Sequence, residues 1–312
     1  MDKIAVLIPC FNEARTIEKV INNFQSALPE AKIYMYDNNS TDGTDELAKK
    51  AGAIVRYEKK QGKGNVIHTM FQEVEADCYI ITDGDDTYPA EYARKMCKEV
   101  LENGADMVIG DRLSSTYFDE NKRLFHGIGN IVVKKMINSL FHSDITDVMT
   151  GYRAFSRRFV KTFPASSHGF EIETEMTIHT LDKGLSISNV IIDYRDRPNG
   201  SESKVNTIKD GMLITNTIFK MYKKYKPFRF YSLIALIIFI IGIISSSFGI
   251  IEFYEKGFIS HSITILIPFN IFGMSLLLLL IGSILQLITD RKKIKFLKAL
   301  DNYKNVKNNL KS

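Results

Sequence analysis

The sequence predicts an α/β fold, a mostly parallel sheet covered by helices on both faces, followed by a two-helix membrane hairpin. Three observations predict it. Short apolar strands alternate with amphipathic helices over roughly the first 110 positions, the pattern of a parallel sheet. Acidic and hydrogen-bonding residues recur just after those strands. Beyond about residue 228 the charged, mixed composition gives way to two long uncharged runs.

The elements follow in order. Lys3 to Cys10 is a buried strand, a short apolar run ending at Pro9 and Cys10. Glu13 to Ala27 carries Ile17, Val20, Ile21 and Phe24 at helical spacing. Lys32 to Tyr36 is the second strand, and Thr41 to Ala51 the second helix, with capping residues at its start. Ala53 to Tyr57 with Gly64 to Val74, then Cys78 to Thr82 with Pro89 to Leu101, repeat the unit, and Asp106 to Ile109 adds a strand.

The chain has 312 residues, enough for two units at roughly 150 residues each. Apolar and charged shares of 45% and 25% exclude disordered, collagen-like and disulfide-scaffold classes. Three scattered cysteines cannot make a disulfide framework or a four-ligand zinc site. None of the six histidines lies in an H-E-x-x-H arrangement, and His126, His142, His168 and His179 receive no role. The net charge is +5, and the basic residues gather beside the apolar runs rather than in an aromatic-interleaved patch. That placement argues against nucleic acid as a partner.

Phe230 to Ile251 and Ile263 to Thr289 hold no charge and are long enough to cross a hydrocarbon core of about 30 Å. Lys220, Lys223, Lys224, Lys226 and Arg229 precede the first run, and Arg291, Lys292, Lys293, Lys295 and Lys298 follow the second. The positive-inside rule puts both termini and the front portion in the cytoplasm. Val205, Ile208, Met212, Ile218, Phe219 and Tyr222 suit a helix lying on anionic lipid. The pairs Gly242/Ser246 and Ser245/Gly249 have a spacing that permits close helix approach, and with it a homo-oligomer.

Ligands of parallel sheets bind beyond the carboxyl ends of the strands, and acids mark those ends here. Asp83 and Asp85 leave a strand on alternate residues, a geometry that suits one hard cation such as Mg2+ or Mn2+ with a diphosphate completing its shell. Asp37 either accepts from a base or ribose or caps the turn before Thr41. Gly62-Lys63-Gly64 looks like a phosphate turn, but Tyr57 and Gly64 break the Walker pattern and Ile67 breaks the dinucleotide fingerprint. Kinase, ATPase and dehydrogenase readings are therefore disfavoured. Glu171 and Glu175, four apart, either share a functional helix face or favour a helix dipole.

PCFNEARTI, DNNSTDGT, GKG, DGDDTYP, GDR, DVMTGYRAF, GFEIETEM and DRPNGSESK occur in one order. Together they resemble the family-two inverting glycosyltransferases with a Rossmann-like GT-A fold, and in particular the polyprenyl-phosphate glycosyltransferases. The resemblance covers about residues 3 to 210, and the two C-terminal runs resemble the bacterial membrane-bound members. It implies a cytoplasmic GT-A domain over 1–204, a juxtamembrane segment over 205–229, two transmembrane helices within 230–289 and a basic tail over 290–312.

Carried over position by position, the resemblance implies that Pro9, Phe11, Glu13, Asp37, Lys63, Asp83, Gly84 and Arg112 bind the donor. Asp83 and Asp85 would hold Mg2+ or Mn2+. Asp147 and Arg153, with Asp85, would form the catalytic set, and Arg197, Ser203 and Lys204 would meet the acceptor phosphate. Asn38 departs from a frequent second Asp, and Thr87 stands where a Gln is common in some members. The implied reaction moves one sugar from a nucleotide sugar (UDP-hexose or UDP-N-acetylhexosamine, with GDP-mannose as the other donor) to a polyprenyl phosphate in the membrane lipid. Asp147 either orients the acceptor or serves as a base. Two alternatives stand beside this: a transferase acting directly on a glycan or glycolipid, and a silent scaffold binding nucleotide sugar or prenyl lipid. The lack of Trp excludes the Q-x-x-R-W motif of processive synthases.

Overall fold

The first strand, β1 (Asp2–Cys10), is buried on both faces from Ile4 to Ile8, as a central strand of a parallel sheet must be. The structure is a computed structural model and describes residues 2–114, 124–164, 169, 171–193, 195, 216, 219–220 and 222–309. It divides into two compact units, residues 1–218 and 219–312.

In the first unit β1 is followed by α1 (Ile17–Ala27), which buries the expected Ile17, Val20, Ile21 and Phe24. Next come β2 (Lys32–Asp37), α2 (Thr44–Lys50), β3 (Ile54–Tyr57), α3 (Lys63–Glu73) and β4 (Ala76–Ile81). A short 3-10 turn leads into α4 (Ala93–Leu101), which packs Ala93, Met96, Cys97 and Val100 inward, and β5 (Met107–Asp111) follows. The expected α1 and α2 begin later than the sequence suggested, because residues 13–16 and 41–43 form turns that serve the rim of the sheet.

Beyond β5 lie elements that the alternation did not announce: α5 (Leu124–Phe141), β6 (Arg153–Ser156), α6 (Arg157–Thr162), α7 (Ile172–Lys183) and β7 (Ile187–Ile191). The seven strands stand in the order β3-β2-β1-β4-β6-β5-β7. All neighbours are parallel except β6, which runs antiparallel to both β4 and β5. The direction of strand order reverses between β1 and β4, the place where such sheets open a crevice. One core packs α1 and α4 against β1 and β2. On another side Phe71, Phe155, Phe159 and Phe163 interlock, with the Phe155 and Phe159 rings stacked at 4.6 Å. Each such side chain contributes about 1.5–3 kcal/mol by leaving water.

The second unit is a hairpin of α8 (Pro227–Lys256) and α9 (Ile263–Asn309), both long and apolar enough to cross a membrane. Its pattern is inverted relative to a soluble core: Phe248, Ile250, Leu277 and Leu287 face outward while Ala235, Gly242 and Gly249 are buried. Both helices run past the uncharged segments, α8 through Glu252 and Glu255 and α9 through the basic stretch to Asn309. A Cβ at Gly242 would stand 2.7 Å from the Phe272 ring, and one at Gly249 would stand 3.3 Å from Thr264. The Ser275 hydroxyl donates to the Ala235 carbonyl across the pair at 2.9 Å. Gly242 and Gly249 thus serve the packing of the hairpin itself, which removes the spacing argument for a homo-oligomer. The juxtamembrane residues Val205, Ile208, Met212 and Ile218 lie outside the described residues.

Candidate active site

The rim is built by loops that lock one another. After β1, Asn12 N–H donates to Ser40 Oγ at 2.9 Å and Asn12 Oδ1 accepts from Thr41 N–H at 2.8 Å. Glu13 N–H donates to Thr44 Oγ1 and Ala14 N–H to Asp42 Oδ2. Asn12, Asn39 and Asp86, in the turns after β1, β2 and β4, all have positive φ, a backbone that Asn and Asp tolerate better than most residues. Pro9 is buried in β1, Phe11 is exposed at the rim and Glu13 is half-buried beside it.

Asp37 ends β2 and is buried. Its Oδ2 accepts from Ser40 N–H at 3.0 Å, while its Oδ1 has no hydrogen-bond partner among the described residues. One oxygen therefore caps the turn while the other is unsatisfied; an unsatisfied buried acceptor costs about 1–3 kcal/mol. Beside it Asn38 Nδ2 donates to the carbonyls of Glu58 and Lys60, at 2.7 and 2.9 Å, and Oδ1 accepts from Gly62 N–H. A carboxylate could not donate to those carbonyls, which explains Asn rather than Asp here. Gly62, at φ 128°, turns the chain into α3.

That turn delivers Lys63. Its Nζ lies 2.6 Å from Asp83 Oδ1 and 2.7 Å from Glu173 Oε1. Burial opposes the lysine charge, but Asp83 and Glu173 more than offset it and hold the ammonium above its ordinary pKa. Burial pushes Glu173 up against the pull of Lys63. Gly151 lies against this group: a Cβ there would stand 2.7 Å from Asp83 Oδ2 and 3.0 Å from Lys63 Nζ, so both side-chain ends would have to shift. At Gly84 a Cβ would meet Cys10 Sγ at 2.9 Å, so the loops after β1 and β4 touch at the crevice. Thr16 Oγ1 donates to Gly84 O at 2.6 Å. Asp85 is buried, and its Oδ1 accepts from the Thr87 hydroxyl at 2.6 Å, which gives the unexpected Thr87 a local task.

The other side of the rim comes from β5 and β6. Arg112 follows β5 and donates from Nε to Asp147 Oδ2 at 2.8 Å and from Nη2 to Asp147 Oδ1 at 3.1 Å. Asp147 is fully buried. Burial disfavours its ionised form, yet the Arg112 charge and hydrogen bonds outweigh that and hold the carboxyl below its ordinary value. The Tyr88 hydroxyl accepts from Arg112 Nη1 and from Gly151 N–H. Asp111 binds the loop together by accepting from Leu113 N–H, the Ser114 hydroxyl and the Thr146 hydroxyl. Arg153, expected in the catalytic set, is instead buried under the loop. It donates to the carbonyls of Thr150 and Val148 and to the Thr177 hydroxyl. Burial lowers its pKa to about 10.

The structure thus brings Asp37, Lys63, Asp83, Gly84, Asp85, Arg112 and Asp147 to the carboxyl end of one sheet. Arg197, Ser203 and Lys204 lie outside the described residues. Sequence reasoning passed over Glu173, choosing its neighbours Glu171 and Glu175, and passed over Tyr88; the acids at alternate positions of GFEIETEM were the available signal. Asp83 and Asp85 are the acids that could hold a divalent cation. Among the described residues no group of three His, Cys, Asp or Glu side chains forms a metal cage. Two carboxylates still fit Mg2+ or Mn2+, which keep water and phosphate oxygens as their other ligands, and glycine at 151 keeps the Asp83 edge clear of a Cβ.

A model of glycosyl transferase family 2 matches residues 5–163. The chain is 31% identical to the glycosyltransferase AglJ of Haloferax volcanii, over 96% of this chain and 99% of that one. It is 28% identical to the dolichyl-phosphate hexose transferase of the same organism, over 70% of this chain and 94% of that one. Its fold is similar to that of glucosyl-3-phosphoglycerate synthase from Mycobacterium tuberculosis, solved with Mn2+, UDP and glucosyl-3-phosphoglycerate. The TM-score is 0.60 at 20% identity, over 72% of this chain and 80% of that one.

Proposed function

The chain belongs to glycosyl transferase family 2, and from that premise we propose that it transfers a single sugar from a nucleotide-diphosphate sugar to a polyprenyl phosphate, undecaprenyl phosphate in a bacterial membrane. Glycosyl transfer on a GT-A-like mixed sheet is the settled part. The acceptor and the donor are the proposal. The observation that carries it is one rim holding an unpaired buried acceptor at Asp37, two acids at Asp83 and Asp85 and a braced arginine at Arg112, in a chain that also carries an apolar hairpin. The kinship to a dolichyl-phosphate hexose transferase supports a lipid-phosphate acceptor.

In this reading Asp37 accepts from the base or ribose of the donor, with UDP-hexose or UDP-N-acetylhexosamine favoured and GDP-mannose the other choice. Phe11 and Glu13 flank that pocket, and Pro9 holds its strand. A divalent cation on Asp83 and Asp85 supplies Lewis-acid stabilisation of the departing diphosphate. Arg112 faces the same diphosphate with its guanidinium fixed by Asp147, which makes Asp147 an orienting residue. A carboxylate engaged by arginine on both oxygens and held below its ordinary pKa is a poor base. The reaction needs little base, because a phosphate monoester has a second pKa near 6 and is largely dianionic at neutral pH. Arg197, Ser203 and Lys204 are assigned to that phosphate, with arginine suited to paired contacts. Attack on the sugar from the side opposite the diphosphate gives inversion. The basic residues flanking the hairpin support a reading in which it is a multi-pass anchor with the catalytic unit and both termini on the cytoplasmic side.

The test is sugar transfer by membranes carrying the full chain, supplied with undecaprenyl phosphate, Mn2+ or Mg2+ and a panel of UDP- and GDP-sugars. A lipid-phosphate sugar that requires the metal and vanishes in Asp85→Asn is the expected outcome. Transfer onto a glycan or glycolipid with no lipid-phosphate product would overturn the acceptor, and nucleotide-sugar binding with no product on any acceptor would leave a scaffold.

A further inference from the structure

We propose that Glu173 is a positioning residue that shares Lys63 with Asp83, so that the lysine ammonium occupies the cation's place on Asp83 until the donor and its metal arrive, and then passes to Glu173. The inference rests on the reading of Asp83 as a metal ligand.

Three observations carry it. First, the ammonium lies between two carboxylates at nearly equal distance, 2.6 Å from Asp83 Oδ1 and 2.7 Å from Glu173 Oε1. It can follow either one with a small movement of its four-carbon stem. Second, Lys63 and Glu173 are buried, with side-chain exposures of 10% and 8%, while Asp83 is the more open member at 27%. Besides Lys63, the buried Arg153 charge acts on Glu173, and a buried carboxylate that loses its close cation is costly. A further cation at Asp83 would compete with the ammonium there, and Glu173 gives the lysine another carboxylate to retain. Third, Lys63 is the first residue of α3, whose first turn holds no acid. A cation at a helix N-terminus is disfavoured by the dipole, so carboxylates from outside the helix must hold it there. Glu173 comes from α7, far away in the chain, and its sequence neighbours Thr177 and Thr180 return their hydroxyls to the helix's own carbonyls.

The experiment measures Mn2+ binding to the purified full-length protein in detergent by the electron paramagnetic resonance signal of free Mn2+, with and without UDP, and needs no turnover. Glu173→Gln is expected to weaken Mn2+ binding about tenfold, because Lys63 then has Asp83 as its one remaining carboxylate of the pair. Glu173→Asp is expected to recover part of the loss. In a Lys63→Met background the same Glu173→Gln exchange is expected to change the Kd by less than about twofold. A loss that persists in full without the lysine would overturn the inference, since Glu173 would then act by its own charge. Unchanged affinity in Glu173→Gln would overturn it as well. Should Lys63→Met fail to fold, Lys63→Gln, whose amide bonds carboxylates without a charge, completes the cycle. Asp83→Asn separates the two readings: if Mn2+ binding survives it, the metal site itself falls. If Asp83→Asn abolishes binding and Glu173→Gln does nothing, the role of Glu173 falls alone.

Discussion

At each end of the sheet a buried aspartate meets an arginine, and the two pairs do different work. Asp106 enters β5 at the amino end and accepts from Arg158 Nε at 2.7 Å, from its Nη2, from the Ser156 hydroxyl and from Ser186 N–H. Every one of those partners belongs to a strand end or helix that it joins, so the cluster is a finished joint between β5, β6, α6 and β7. Asp147 at the carboxyl end holds an arginine that also reaches Tyr88, at the same end of the sheet as the unpartnered Asp37 Oδ1 and the shared Lys63. The same side-chain chemistry is closed at one end and open at the other. What separates joint from site is whether the neighbours are all satisfied by the protein.

Exchanging one carboxylate for an amide at each end should separate activity from stability most sharply. Asp85→Asn is expected to lower transfer by about 10³-fold while the unfolding midpoint in detergent stays within a few degrees. A midpoint that collapses would make Asp85 a joint residue. Asp106→Asn should do the reverse, costing about 3 kcal/mol as a buried pair is broken, with turnover per folded molecule unchanged. Urea unfolding and an active-site titration read the two quantities separately.

A smaller effect is expected at Asn38. Asn38→Asp removes the donors to the Glu58 and Lys60 carbonyls and should cost about 1–3 kcal/mol, with weaker UDP binding because the turn into Lys63 loosens. Calorimetric binding of UDP that matches the unaltered protein would show the loop to be held by other means.

The smallest signal lies in acid. The folded pKa of Asp147 is below its ordinary value, so its pairing contributes stability above the unfolded value near 3.9. That contribution is lost as pH falls from there through the folded pKa. Asp147→Asn should therefore be less stable at neutral pH and should show a flatter decline in stability below about pH 4. It should leave the acid limb of the activity profile above pH 5 in place. An activity limb above pH 5 that vanishes in this variant would restore Asp147 as a titrating base.

Much of this was legible in the chain because local patterns carry it. The stripe Ile17, Val20, Ile21, Phe24 announces α1, and the apolar run of β1 announces a strand buried on both faces. Other parts were hidden for a physical reason. In α7 nearly every side chain from Ile172 to Thr180 is buried, threonines and glutamates included, so no apolar stripe marks it and Glu173 does not stand out from Glu171 and Glu175. Arg153 sits in a motif that the resemblance makes catalytic, yet its guanidinium is taken up by carbonyls beneath the loop.

By itself the sequence determined the alternation of strands and helices, the acids at the strand ends and the apolar hairpin, since each depends on residues a few positions apart. Only the tertiary structure decided how the late segments join the rim. Because β6 is antiparallel to β4 and β5, with Arg153 opposite both Ile81 and Ile109, the loop that enters β6 lies beside the ends of the parallel strands. That reversal carries Asp147 to Arg112 and Gly151 to Asp83. Strand direction depends on partners distant in the chain, and side-chain periodicity is the same in either direction, so no local pattern could announce it.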